Sequence, residues 1–148
     1  MKIDRATEAD TEVISQLLGQ IEAYYGGDYA PADAEQVRAA LFSDRPAATV
    51  LLARGDDGTV LGMASYTRLW PAAGADTSLY LKELYVREGA RRRGVAAAFM
   101  ERLKEEAAAA GCSRIEWTAD DDNPSALRFY EALGVQRHQG KVFYRAGV

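Results

Sequence analysis

From Thr49 onward the hydrophobic residues stop recurring at helical spacing and gather into three runs of branched and aromatic side chains, 49–54, 59–69 and 78–87. No other feature limits the fold so much. The first two runs flank Gly55-Asp56-Asp57-Gly58, a tetrapeptide suited to a hairpin, which predicts two antiparallel strands. Before them, 2–6 reads as a short strand. Thr7 with Asp10 three residues on resembles a capping box, and Val13, Ile14, Leu17, Leu18 and Ile21 form one apolar helical stripe that runs out at Gly26-Gly27. A weaker helix is predicted over 33–42, ahead of Pro46. After the strands, 91–110 reads as a long helix with Val95, Phe99, Met100, Leu103 and Ala107 on one face, closed by Gly111. A strand at 113–118, a helix at 125–133 stopped by Gly134 and a last strand at 141–145 complete the order β-α-α-β-β-β-α-β-α-β. That order describes a mixed α/β sheet in one domain spanning 1–148, with no repeat or linker.

Composition narrows the function classes. The 148 residues are 48% hydrophobic and 27% charged, and a compact domain of that length buries roughly 70% of the surface of its unfolded chain, enough for a core without staples. No apolar stretch approaches the ~20 residues of a membrane-spanning helix, and charges at Lys2, Asp4 and Arg5 stand where a signal peptide carries its apolar block. The expectation is a soluble cytoplasmic protein with no membrane partner. Cys112 and His138 are the only soft ligands, so neither an internal disulfide nor a zinc cluster is expected, and no metal is assigned. Eighteen basic against 22 acidic residues give a net charge of −4, the wrong sign for a protein whose main partner is nucleic acid.

The most informative stretch is Leu79-Tyr80-Leu81-Lys82-Glu83-Leu84-Tyr85-Val86, a strand leading into Arg91-Arg92-Arg93-Gly94-Val95-Ala96-Ala97 at a helix start. A helix N-terminus presents unpaired N–H groups and partial positive charge, so it attracts phosphate; Gly94 lacks the Cβ that would obstruct the approach, and Ala96 and Ala97 are small. Three successive arginines offer forks to outlying phosphates. The arginine run taken alone fits a solvated basic turn equally well. No Gly-Lys-Ser, Gly-Lys-Thr or three-glycine dinucleotide fingerprint occurs, which points to a diphosphate used as a handle while a distant end reacts, as in coenzyme A.

Arg91-x-x-Gly94-x-Ala96, following a strand that ends Leu84-Tyr85-Val86, resembles the acyl-CoA signature of the GCN5-related N-acetyltransferases (GNAT). Asn123-Pro124-Ser125-Ala126-Leu127-Arg128-Phe129-Tyr130-Glu131-Ala132-Leu133-Gly134 resembles that family's second signature, and the two occur in the expected order over 79–134. Tyr80 to Val86 and the Glu116-Trp117 pair are similar to the branch containing polyamine and thialysine acetyltransferases. The resemblance implies a GNAT-like mixed, mostly antiparallel twisted sheet with helices on both faces, and acetyl-CoA as co-substrate. It implies that the strand at Leu84, Tyr85 and Val86 splays from its neighbour to bind the pantetheine and acetyl carbonyl. A backbone N–H on that oxygen is worth roughly 3 kcal/mol in other acyl-transfer sites. By the same likeness Arg91, Arg92, Arg93, Gly94, Val95, Ala96 and Ala97 hold the diphosphate, Asn123, Ser125 and Ala126 line the cofactor's other side, and the protein is a homodimer.

Tyr130 matches the tyrosine that family members place beside the CoA sulfur. A phenol of pKa ~10 stays protonated at neutral pH and donates to a thiolate of pKa ~8.5, which suits a general acid. Packing alone also accounts for Leu127, Tyr130 and Leu133 at three-residue spacing. Glu83 either accepts the amine proton or orients the substrate, or is half of a structural ion pair, in which case a water chain to bulk removes the proton. The polyamine branch has two adjacent acids here, whereas this chain has Lys82-Glu83, and strand alternation sets those two on opposite faces unless a bulge intervenes.

The acceptor pocket is expected from Tyr24, Tyr25, Asp28, Tyr29 and Trp70 together with Glu83, since aromatic faces and a carboxylate suit a cationic amine; capping of the sheet end explains the aromatics as well. Asp120-Asp121-Asp122 either attracts a polyamine or complements the dipole of the helix that follows, His138 reads as surface and Cys112 as an ordinary buried thiol. The leading expectation is acetyl transfer to a primary amine of a small molecule: polyamine, amino acid or aminoglycoside-like. A protein or peptide amine, or a non-catalytic acyl-CoA-binding module, stand as alternatives.

Overall fold

In the computed structural model, which describes residues 1–148, Gly55 donates its N–H to the Thr59 carbonyl at 2.8 Å and Asp57 accepts from the Thr59 N–H at 3.0 Å. These bonds close the hairpin between β2 (Thr49–Arg54) and β3 (Val60–Leu69). With β1 (Lys2–Arg5), β4 (Ser78–Val86) and β5 (Arg114–Glu116) they form one sheet in the order β1-β2-β3-β4-β5, antiparallel except for the β4–β5 pair. The helices are α1 (Thr11–Tyr24), α2 (Ala34–Phe42), α3 (Val95–Ala109) and α4 (Pro124–Ala132). None is long and apolar enough to cross a membrane. The chain forms two compact units, Met1–Trp117, which holds the sheet with α1 to α3, and Thr118–Val148, which holds α4.

Local chemistry sets the boundaries. Asp10 accepts from the Thr7 N–H at 2.9 Å in the capping box, one 3₁₀ turn ahead of α1, and its other oxygen takes a 2.9 Å bond from Arg54, which also binds Asp4. The start of α1 is thereby tied to β1 and β2. Asp33 caps α2 by accepting from the Gln36 N–H. Each helix then buries its stripe. Ile14, Leu17 and Ile21 of α1 and Val37 of α2 cluster with Val50, Leu52, Val60 and Met63 on one face of the sheet. Each such fully buried side chain contributes about 1.5–3 kcal/mol.

The other face belongs to α3, and it is pinned by a charge. Glu106, with 4% of its side chain exposed, accepts from the Tyr66 hydroxyl at 2.7 Å, from Arg5 of β1 and from Arg102 one turn back at 2.6 Å. Burial alone would push the Glu106 carboxyl upward; hydrogen bonds from Arg5 and Tyr66 outweigh it and hold the group below the ordinary glutamate range.

Three expectations are corrected. The helix predicted from 91 begins at Val95, because Arg92 (φ 59°) and Gly94 (φ 78°) are left-handed and cannot belong to a right-handed helix. The strand predicted over 113–118 shortens to Arg114–Glu116. No strand forms at 141–145, where Val142, Phe143 and Tyr144 are exposed. Alternating residues supply a preference, but a strand exists only where a neighbour completes its hydrogen-bond ladder.

A carboxyl with a depressed folded-state pKa contributes stability that is fully present above its unfolded value of about 4.3 and is lost as pH falls through the folded value. Glu106→Gln is expected to lower unfolding stability at pH 7 by about 1–3 kcal/mol, since Arg5 and Tyr66 lose their ionic acceptor. It should also flatten the decline of Tm between about pH 5 and 3. Thermal unfolding across pH checks both; an unchanged acid limb would remove Glu106 as its source.

Candidate active site

The site is built where the end of α1 meets β4. Gly19 sits inside α1 because the chain beyond the helix folds back onto it: a Cβ there would lie 2.6 Å from the Ala30 carbonyl oxygen and 3.0 Å from the Tyr29 ring. Ala32 donates its N–H to the Ser15 carbonyl at 3.1 Å, and the Ser15 hydroxyl donates to the Ala32 carbonyl. This clasp brings Tyr29 over the last turns of α1. Gln20, Ala23, Tyr24 and Tyr29 thereby face Tyr85, Arg87, Glu88 and Arg91 across a cavity of about 460 Å³.

The opposite wall depends on an irregularity in β4. Tyr66 of β3 pairs with Leu81 and its neighbour Ser65 with Glu83, which leaves Lys82 as an extra, unpaired residue. Tyr66 faces α3, through Glu106, whereas Met63 packs with the α1 cluster and Ser65 shares its face by alternation. The bulge therefore keeps Leu81 on the α3 side and turns Glu83 and Tyr85 toward α1. Lys82 is exposed and Glu83 half-buried. Glu83 and Tyr85, two residues apart on one strand, stand about 7 Å from each other.

Farther along, β4 loses its partner on one side. Its parallel pairing with β5 covers only Ser78–Arg114, Leu79–Ile115 and Tyr80–Glu116, so Leu84, Tyr85 and Val86 are paired in the sheet with β3 alone. Gly62 stands opposite Val86, where a Cβ would collide with the Tyr85 carbonyl. The chain then crosses a 3₁₀ turn at Glu88–Ala90 and the left-handed residues Arg92 and Gly94 before entering α3.

The start of α3 suits an anion. The first helical backbone bond runs from the Ala98 N–H to the Gly94 carbonyl, so Val95, Ala96 and Ala97 lie in the turn whose N–H groups have no acceptor within the helix. No side chain caps it, and no acidic residue stands in its first turn. A Cβ at Gly94 would project into open space. These residues fit a diphosphate. Arg91, Arg92 and Arg93 are all exposed, but the Arg91 side chain turns back: Nε donates to the Val86 carbonyl at 3.0 Å and the guanidinium lies over the rings of Tyr24 and Tyr85, 5.2 and 5.9 Å from their centroids. Arg87 is a brace as well, donating to Gln20 at 3.3 Å and to the Val60 carbonyl at 3.0 Å.

In the unit Thr118–Val148, Asn123 caps α4 by accepting from the Ala126 N–H at 3.2 Å, with Pro124 in the first helical position and Ser125 exposed. Tyr130 is half-buried in that helix, its ring tilted against Phe129 at 5.2 Å.

A family model described as the acetyltransferase (GNAT) family matches residues 15–135. The chain belongs to that family. Among curated proteins, this GNAT chain is 33% identical over 103 residues to an aminoglycoside N(6')-acetyltransferase type 1 of Serratia marcescens, covering 68% of this chain and 70% of that protein. It is 28% identical over 142 residues to a thialysine N-epsilon-acetyltransferase of Bos taurus, covering 90% and 83%. A match of 30% over 81 residues to L-ornithine N5-acetyltransferase NATA1 of Arabidopsis thaliana covers 55% of this chain and 36% of that protein. The solved structure of an integron cassette protein from the mobile metagenome of V. cholerae superposes with a TM-score of 0.85 at 30% identity, over 99% of this chain and 92% of that one.

Of the residues expected around an acceptor, Tyr24 and Tyr29 line the cavity and Tyr25 packs edge-on against Tyr24 at 5.1 Å. Asp28, Trp70 and Glu83 do not line it: Glu83 stands on the strand face of Tyr85 but outside the lining, and Trp70 donates its ring N–H to the Ala75 carbonyl within its own loop. Nothing in the local pattern singles out Gln20, Arg87 or Glu88; the one available signal is Gln20 standing one turn before Tyr24 on the same helix face. Outside the site, Cys112 is half-buried beside Thr77, while His138 and Asp120 to Asp122 are exposed.

In an open helix, alanine at position 19 would gain up to about 1 kcal/mol over glycine, but overpacking against a fixed backbone costs about 1–3 kcal/mol. The contact with Ala30 decides the sign. Gly19→Ala is expected to destabilise the protein and to speed amide exchange over 29–32, read by urea unfolding and hydrogen exchange. A stabilised variant would show that the clasp is loose.

Proposed function

We propose that this protein transfers an acetyl group from acetyl-CoA to the primary amine of a small molecule, an amino acid, polyamine or aminoglycoside-like compound. The observation that carries the reading is β4. It parts from β5 after Tyr80, leads into an uncapped helix start suited to a diphosphate, and on its α1 side forms one wall of an aromatic cavity with carboxylates nearby. Relatives named for acetylating ornithine, thialysine and aminoglycosides support a small amine as acceptor.

Acetyl-CoA supplies an activated acetyl group; the chain's residues position and move protons. Backbone groups of Leu84 to Val86 hold the thioester arm, and the first turn of α3 with Gly94 takes the diphosphate. Asn123, Ser125 and Ala126 contribute as the second signature suggests. Glu83, half-buried and on the face of Tyr85, accepts the proton of the acceptor amine as nitrogen bonds to the acetyl carbon. The carbon–sulfur bond breaks, and the Tyr130 phenol gives its proton to the departing sulfur. As the family resemblance implies, the working unit is a homodimer, which sedimentation equilibrium tests.

A thiol-release assay with acetyl-CoA and an amine panel tests the reaction; tight CoA binding with no turnover of any amine would replace it by the non-catalytic acyl-CoA-binding module. Tyr130→Phe is expected to lower kcat by about a hundredfold or more while CoA affinity stays within about threefold, since a general acid acts on the transition state. An unaffected kcat would remove Tyr130 from that role. Gly94→Glu places a carboxylate at the anion site and forces a side chain into left-handed backbone. Loss of CoA binding by calorimetry, with the circular dichroism spectrum retained, is the expected result.

A further inference from the structure

Arg91 follows the 3₁₀ turn in the connection that carries the chain from β4 to α3, and its side chain turns back toward β4 and α1. One nitrogen is committed to the Val86 carbonyl at 3.0 Å, and the guanidinium covers Tyr24 and Tyr85, whose rings meet edge to face with centroids 6.4 Å apart. A planar guanidinium both stacks on aromatic faces and donates in its own plane, so it serves both contacts at once. Its anchor is the stiffer partner. Val86 pairs with Gly62, and β3 approaches there so closely that no side chain fits at Gly62. Tyr24, in contrast, is the last residue of α1 and 46% exposed. Arg91 thus links the end of α1 to β4, alongside the Arg87–Gln20 bond.

We infer that Arg91 is a positioning residue for the acceptor, fixing Tyr24 against Tyr85 as one wall of the cavity beside the cofactor loop. This rests on the reading of that cavity as the acceptor pocket. It differs from the role that the sequence motif alone suggests, a side-chain contact to the diphosphate, and the two make opposite kinetic predictions. A positioning residue acts on the acceptor through Tyr24; a diphosphate ligand acts on the cofactor and is indifferent to Tyr24.

The test uses Arg91→Ala, Arg91→Lys, Tyr24→Leu and the Arg91→Ala/Tyr24→Leu double variant, with steady-state kinetics for both substrates and CoA calorimetry. The expected result in Arg91→Ala is an acceptor KM raised about tenfold with the acetyl-CoA KM and the CoA Kd within about threefold of wild type. Arg91→Lys keeps the charge but not the planar stacking group, and should remain near the alanine value. In the Tyr24→Leu background the Arg91 change should add little, because the two residues act as one unit. The reverse split, with CoA weakened tenfold, acceptor KM unmoved and lysine restoring both, would overturn the inference. A wild-type protein that acetylates no amine would instead defeat the proposed reaction. In that case amide exchange over 21–25 still decides the contact: a rise of about fivefold in Arg91→Ala supports it, and unchanged exchange overturns it.

Discussion

Lys82, the one residue of β4 without a partner on β3, determines which way the second half of that strand faces. In a regular strand Leu81, Glu83 and Tyr85 would share a face, and since Leu81 lies opposite Tyr66 that face would be the one covered by α3. The extra residue breaks the alternation once. Leu81 keeps its place in the α3 core, while Glu83 and Tyr85 turn to α1, where Tyr85 becomes the wall against which Arg91 and Tyr24 are stacked. The β4 wall of the cavity, Tyr85, and the facing of Glu83 follow from a single inserted position.

Stability and chemistry are separated along α3. Toward its C-terminal end Glu106 binds Arg5 of β1 and Tyr66 of β3, so the helix is locked to two strands by a buried carboxylate with three donors. Eleven residues earlier, about 16 Å along the axis, the helix begins at Val95, just after a left-handed glycine and with no side-chain cap. An uncapped start is unfavourable by itself, because its N–H groups lack acceptors. Anchoring the far end and the apolar face offsets the cost of that start. On the opposite face of the sheet, the Ser15 and Gly19 clasp holds the segment that carries Tyr29 against α1.

Much of the fold was legible because its signals are local. The hairpin turn, the Thr7 capping box, the Asp33 cap and the stripe of Ile14, Leu17 and Ile21 each depend on residues within about two turns of one another, and each appears where the pattern points. The helix over 91–110 was legible as well, but its first turn was not: Arg92 and Gly94 are left-handed and the helix begins at Val95. Tyr24 and Tyr29 were found among the aromatics near the end of α1, but Trp70 and Asp28 were indistinguishable from them by residue type. Which aromatic reaches the cavity depends on where its loop is fastened, and Trp70 is fastened to Ala75 of its own loop. Arg87 and Gln20, distant in the chain, are joined only by the packing of α1 on β4.

The amino-acid sequence by itself determined the succession of helices and strands from β1 to α4, the small residues at the start of α3 and the signatures of an acyl-CoA enzyme family, since these depend on propensities, caps and spacing within short segments. The tertiary structure alone decided that Lys82 is a bulge, that Glu83 faces α1, that Arg91 turns to Tyr24 and Tyr85, and that 141–145 does not become a strand. A side chain's face on a strand depends on the register with its neighbour, and a guanidinium's partner depends on which rings the fold brings within reach. Both are properties of contacts between distant parts of the chain, and short-range spacing does not encode them.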